Sequence, residues 1–297
     1  MAWAIDVKGL TKEYNGFKAV DSLDLQVPQG SVFGFLGPNG SGKTTTIRML
    51  LGIIKATSGG GKILNLDMEK DSLKIRAQTG YMSELPEMYG YMTGEEIIKF
   101  CQGFYPYWDR EMVDRYARLF HLSLKNKISS FSKGMKSQLA LILALAPGPS
   151  LLILDEPTSG LDPIKRVQFL NIIIREIVTS GKTVFFSSHL LGDVERVCDQ
   201  VAFIKEGRLI KTTSLDKLKT QEKIIRVVFQ KEPPPDLLEK PGIKKVERDG
   251  KAYLIYVEEN FDEIFAAYEK VSHFILEVID QNLEELFIDY MGGGEDV

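Results

Sequence analysis

Cysteine is scarce in this chain of 297 residues. Cys101 and Cys198 stand far apart in sequence and form no close-spaced metal or redox motif. Both are expected as reduced, partly buried small hydrophobes in a cytosolic protein. Charge of one sign is lacking too: 37 Lys and Arg against 41 Asp and Glu leave a net charge of -4. No general basic field follows, so non-specific nucleic-acid binding is not expected. A long apolar run is also missing. The best candidate, Leu139 to Leu154, is broken by Pro147-Gly148-Pro149, and the piece before the break is too short to cross a bilayer. Met1 to Gly9 already mixes charge with apolar residues, so no secretory signal is expected. Any membrane role must come through a partner. No long repeat or low-complexity tract occurs.

What is present is a hydrophobic fraction of 44%, ample for a sizeable core, at a length that favours two domains. Ser31 to Leu36 is a short apolar run that enters a glycine-rich turn, and Thr45 to Leu51 reads as the helix after it. Lys182 to Ser187 and Gln200 to Ile204 read as further buried strands. Between them Val167, Leu170, Ile173 and Ile174 keep helical spacing. Buried strands alternating with helices predict an α/β core with much parallel pairing.

Aromatics and charges at helical spacing in Phe100 to Tyr107 and Met112 to Phe120 predict a helical insertion, about 84–147. Composition shifts near Thr220, and 221–297 is expected to be a small α+β accessory domain after a first domain of 1–220. Its strands are read at Ile224 to Phe229 and Ala252 to Val257, the second reached through an Asp249-Gly250 turn. Two helices follow. Asn260 with Glu263, and Asn282 with Glu285, stand at capping-box spacing ahead of apolar faces.

The chemistry begins at Gly37-Pro38-Asn39-Gly40-Ser41-Gly42-Lys43-Thr44, which fits G-x-x-x-x-G-K-[ST]. A triphosphate needs many donors at close range, and glycines let backbone N–H groups converge on it. The following helix adds the positive end of its dipole. Lys43 is expected to reach the β- and γ-phosphates, Thr44 to ligate Mg²⁺, and Thr45 to complete the nucleotide-contacting run. A chance glycine-rich turn is the competing reading, and the strand-loop-helix setting disfavours it. Asp155 and Glu156 follow an apolar strand at the end where open α/β sheets bind ligands. Asp155 suits a metal ligand and Glu156 a general base for water. His189 ends the Phe185 to Ser188 run and suits a γ-phosphate donor, although a histidine there in isolation reads as structural. His121 and His273 have no such context. Tyr14 suits an adenine-stacking ring, with a core tyrosine as an equal alternative.

Taken in order, these residues resemble the ATP-binding cassette (ABC) ATPases over positions 1 to about 215. Tyr14, the Walker A loop at 37–44, a signature at Ser132 to Met135, the Walker B strand with Glu156, the D-loop Ser159-Gly160-Leu161-Asp162 and the switch His189 fall in that family's sequence. The resemblance implies that Tyr14 stacks on adenine, and that Ser132 and Gly134 contact the γ-phosphate of ATP held by a second cassette. It implies a homodimer in which Asp162 communicates across the shared interface. Ser132 stands at the start of a predicted helix, Lys133 to Leu145, whose N-terminal donors face an anion.

Two departures stand out. The usual Leu-Ser-Gly-Gly-Gln reads Phe131-Ser132-Lys133-Gly134-Met135, and Glu84 stands where the Q-loop glutamine is usual. A carboxylate accepts from water or approaches Mg²⁺ but supplies no amide donor, so Glu84 joins Thr44 and Asp155 as an expected metal contact. These departures, and Asn282 to Phe287, are similar to cassettes of bacterial two-component exporters. That similarity implies a separate membrane permease subunit and a peripheral position on the cytoplasmic face. Two other readings stay open: a soluble ABC ATPase that transports nothing, and a regulatory cassette with little turnover.

Overall fold

A computed structural model describes residues 2–292, without the side chains of 176–180. The chain divides into two compact units, Met1–Thr212 and Thr213–Val297. The last five residues of the expected 221–297 domain lie outside the described residues.

The first unit opens with strands the sequence reading did not single out. They are β1 (Trp3–Tyr14) and β2 (Phe17–Pro28), joined through Asn15 and Gly16, whose φ values of 50° and 84° make a tight hairpin. Ala4, Ile5, Val7 and Leu10 point into the core from β1, as Leu23, Leu25 and Val27 do from β2. The next strand, β3 (Val32–Leu36), starts a second sheet, and α1 (Lys43–Leu50) follows it. That helix starts two residues earlier than the expected Thr45, because Lys43 and Thr44 already form its first turn. Then come β4 (Ser58–Ile63), β5 (Leu66–Asp67) and α2 (Ser72–Ala77). The first sheet has the order β2-β1-β4-β5.

The chain continues through β6 (Thr79–Met82), α3 (Gly94–Gln102), α4 (Arg110–Leu119), a short 3-10 turn and α5 (Lys133–Leu145). Next are β7 (Leu151–Asp155), α6 (Pro163–Ser180), β8 (Thr183–Ser188), α7 (Leu191–Val197), β9 (Gln200–Lys205) and β10 (Arg208–Ser214). The second sheet has the order β10-β9-β3-β8-β7-β6, and β3, β6, β7, β8 and β9 pair in parallel. Every residue of β3, β7 and β8 is buried, the pattern of strands covered on both faces. Phe33 and Phe185 stack at 5.9 Å between neighbouring strands. The apolar stretch from Leu139 to Leu154 divides between α5 and β7. Among the described residues no helix is long and apolar enough to cross a membrane.

The second unit contains α8 (Leu215–Gln221), β11 (Lys223–Phe229), α9 (Pro235–Leu238), β12 (Ile243–Asp249), β13 (Ala252–Val257), α10 (Phe261–Glu269), β14 (His273–Asp280) and α11 (Leu283–Tyr290). Its sheet is antiparallel, in the order β12-β13-β11-β14. Ile225, Val227, Ile255, Ile264 and Tyr268 form a core of their own. The Tyr268 hydroxyl donates to the Leu237 carbonyl at 3.0 Å, which satisfies its buried polar end.

One expectation fails here. Asn260 adopts φ 58° and its side chain caps nothing; the first N–H of α10, at Phe261, donates to Gln221 Oε1 instead. The same pattern at Asn282 does close a capping box, with Glu285 N donating to Asn282 Oδ1 at 2.9 Å and Asn282 N to Glu285 Oε2 at 3.0 Å. As the edge of its sheet, β14 leaves Phe274, Ile275, Val278 and Ile279 exposed.

Candidate active site

Parallel register brings three strand ends together. Leu36 of β3 lies beside Ser188 of β8, and Asp155 of β7 beside Ser187. The loops leaving these ends carry Gly37 to Gly42, Glu156 and His189. Such convergence at the carboxyl edge is where open α/β sheets bind ligands.

The glycine loop is built for close backbone approach. Gly42 has φ 103°, and a Cβ there would lie 2.5 Å from the Ala19 carbonyl, so only glycine fits. The loop borders a cavity of about 400 Å³, lined on one side by Asn39 to Thr45 and on the other by Phe17, Ala19, Glu84 and Glu156. Ser41 Oγ is buried with no protein partner among the described residues. An orphan hydroxyl in a glycine-rich loop at the α1 N-terminus fits a phosphate ligand.

Lys43 is 6% exposed. Its Nζ donates to the carbonyls of Gly37 at 2.7 Å and Pro38 at 3.2 Å, and lies 3.3 Å from Glu156 Oε1. Glu156 is buried in a left-handed backbone, φ 47°. Its N–H is shared between Ser187 O and Ser187 Oγ, both at 3.1 Å. Its Oε2 accepts from the His189 N–H at 3.2 Å and lies 2.7 Å from His189 Nδ1. The general-base candidate thus has the Lys43 ammonium near one oxygen and His189 against the other. Asp155 Oδ1 accepts from Ser187 Oγ at 2.6 Å. Burial, followed by the charge of Asp155, pushes the Tyr81 phenol up.

Among the described residues no three Asp, Glu, His or Cys side chains converge as a metal cluster. The set expected for magnesium, Thr44, Asp155 and Glu84, offers oxygen donors alone, the donor type this hard cation takes alongside phosphate and water. Thr44 and Glu84 border the same cavity.

Other expected residues stand elsewhere. Tyr14 is 47% exposed with Lys12 Nζ 5.0 Å above its ring, and it does not line the cavity. Phe17, its cross-hairpin partner, does, at 68% exposure. The sequence reading missed Phe17, although Asn15-Gly16 between alternating stretches signals the hairpin that pairs it with Tyr14. Ser132 and Gly134 do not line the cavity either. Ser132 Oγ caps α5 by accepting from Met135 N at 3.2 Å and stays exposed. Gly134 packs toward Leu161, and the Lys133 stem runs past Gly160, so signature and D-loop touch within one chain. Asp162 caps α6, accepting from Lys165 N at 3.0 Å. That N–H, followed by the charge of Lys165, holds the exposed Asp162 carboxyl below the usual range.

Comparison with known proteins supplies the relatives of this arrangement. A family model described as ABC transporter matches residues 20–159. The bacitracin transport ATP-binding protein BcrA of Bacillus licheniformis is 34% identical, over 99% of this chain and 99% of its own length. A solved ATP-binding subunit of an ABC transporter has a TM-score of 0.66 at 28% identity, covering 72% of this chain and 91% of its own. The dimeric post-hydrolysis cassette MJ0796, bound to ADP and Pi, has a TM-score of 0.65 at 21% identity, over 71% of this chain and 98% of its own, a likeness of fold alone.

Proposed function

The chain belongs to the ATP-binding proteins of ABC transporters, and from that premise we propose that it is the Mg²⁺-dependent ATPase subunit that drives an exporter. The observation that carries the hydrolytic part is the placement of the Glu156 carboxylate. It stands between Lys43 Nζ at 3.3 Å and His189 Nδ1 at 2.7 Å, against the glycine cradle. The cradle and Lys43 bind and orient the triphosphate, leaving the γ-phosphorus open to in-line attack. Glu156 takes a proton from the attacking water, and His189 donates to the γ-phosphate oxygens as charge develops. Lys43 neutralises the bridging region, so ADP and phosphate leave. Thr44, Asp155 and Glu84 are the residues that would hold a magnesium ion, which would supply charge neutralisation on the phosphates.

Two copies are required in this reading. Ser132 and Gly134 stand off the chain's own cavity, with the exposed Ser132 at the α5 N-terminus, so they serve the γ-phosphate held by a second copy in a head-to-tail pair. ATP then stabilises the closed pair because only that pair supplies both halves of the site. Tyr14 serves as the adenine platform, with Phe17 alongside. The membrane partner docks on the helical insertion. There Tyr89, Tyr91, Phe100 and Phe104 are exposed, with ring contacts of 5.2–6.0 Å, beside a hollow of about 540 Å³. A cluster of exposed, mutually touching aromatics marks an interaction surface. The whole-length similarity to a bacitracin transport protein supports an exporter held peripherally on the cytoplasmic face by a separate permease.

The test is steady-state hydrolysis with Glu156→Gln. Turnover is expected to fall by about 10²- to 10⁴-fold, the share of a lost general base, while ATP-dependent dimerisation persists. A variant that stays monomeric at saturating ATP overturns the two-copy mechanism. Recovery of the protein from its host without a polytopic membrane protein overturns the transport role.

A further inference from the structure

The hydrolytic reading uses the loop after β7 and the loop after β8 at one point, where Glu156 meets His189. The two loops are joined a second time. Asp193, in the first turn of α7, is 2% exposed and both its carboxylate oxygens are engaged. Oδ2 accepts from Thr158 Oγ1 at 2.6 Å, and Oδ1 pairs with Arg166 Nε. Thr158 is the residue before the D-loop, and Arg166 lies in the first turn of α6, just after it. Both ends of the Ser159–Asp162 segment are therefore pinned to one buried carboxylate. That carboxylate stands four residues beyond the histidine that holds Glu156.

The four residues close a ring: Glu156 to His189, along the chain to Asp193, across to Thr158, and back two residues to Glu156. A carboxylate in such a dry position is costly unless fully paired, and an apolar side chain of the same volume fills space more cheaply. What the charged group adds is direction, because two hydrogen-bonded partners fix two loops in one relative position.

We propose that Asp193 is a positioning residue for ATP hydrolysis, locking the D-loop to the Glu156–His189 pair so that a D-loop displacement made by the partner cassette re-aims the general base. The inference rests on the two-copy ATPase reading above. It assigns to Asp193, Thr158 and Arg166 the role of a strut between the copies, with no contact to nucleotide required. A rigid strut matters because misplacing a reacting group by about 1 Å costs on the order of 10²-fold in rate.

The experiment uses the full-length protein and compares Asp193→Asn, Thr158→Val, Thr158→Ser and the double variant Asp193→Asn/Thr158→Val. Each is assayed for kcat, for KM for MgATP, for the Hill coefficient of hydrolysis and for melting temperature. For Asp193→Asn and Thr158→Val, kcat is expected to fall about 10- to 100-fold with KM changed less than about threefold. The Hill coefficient is expected to drop toward one. Thr158→Ser, which keeps the hydroxyl, recovers most of the rate lost in Thr158→Val. The double variant loses no more than the worse single variant, the signature of one shared contact. Wild-type kcat and cooperativity in folded Thr158→Val overturn the proposal, even where Asp193→Asn is too unstable to assay. A fall in melting temperature with unchanged kcat in either single variant overturns it as well, by leaving Asp193 a purely structural pair. Failure of the wild-type protein to hydrolyse ATP, judged against Lys43→Ala, strikes the ATPase reading instead.

Discussion

A lysine ammonium that touches two loop carbonyls and a buried glutamate is held in place before any substrate arrives. Lys43→Ala is therefore expected to weaken MgATP binding by about 10- to 100-fold, the loss of one buried charge-assisted contact. It should also cut turnover further than binding alone explains; equilibrium binding and kcat on one preparation separate the two. Gly42→Ala tests the backbone. With φ 103° and an added Cβ 2.5 Å from the Ala19 carbonyl, it should cost roughly 1–3 kcal/mol of stability and reduce nucleotide binding, read by denaturant titration and binding. Lys43, Asp155, Glu156 and His189 were legible in the sequence because the first three are local to a motif and the fourth ends a buried strand. Phe17 and Asp193 were not singled out. Phe17 reaches the cavity through a hairpin pairing, and Asp193 acquires its partners when two loops from neighbouring strands fold against each other.

At the scale of elements, two asparagines with the same spacing to a glutamate diverge. Asn282 enters α11 with extended backbone and closes its box, whereas Asn260 enters α10 with φ 58° and does not. Asn282→Ala should destabilise the protein by about 1 kcal/mol. Asn260→Gly should be neutral or stabilising by a few tenths of a kcal/mol, because glycine takes the left-handed backbone without a Cβ penalty. Chemical denaturation of both variants checks the pair, and equal losses would contradict the assignment. Spacing alone cannot separate the two, since the entry angle of the chain is set by what precedes the cap. The buried strands β3, β7, β8 and β9 were legible as continuous apolar runs. The long strands β1 and β2 were missed despite their alternation, and β12, although it ends on the Asp249-Gly250 turn, is too charged to read as a strand.

At the scale of the molecule, two units with separate cores share one chain. Only the first carries the glycine cradle, so a ligand that binds it stabilises that unit by linkage. At ATP concentrations 100-fold above the dissociation constant the gain is about 2.7 kcal/mol. Calorimetry of Glu156→Gln with and without MgATP should move one unfolding transition upward and leave the other in place. A parallel shift of both transitions would show that the units unfold as one. The second unit has its own material consequence, carried by β14. Its sheet ends on one side in β12, which is rich in Lys, Glu and Arg, and on the other in a strand whose Phe274 is 71% exposed. A charged margin repels its neighbours, while an apolar one with unsatisfied ladder groups invites stacking. The protein is thus colloidally one-sided, and concentrated solutions should turn cloudy through this margin before the catalytic unit loses its shape. Phe274→Lys should raise the concentration at which light scattering begins while ATP turnover stays as it was.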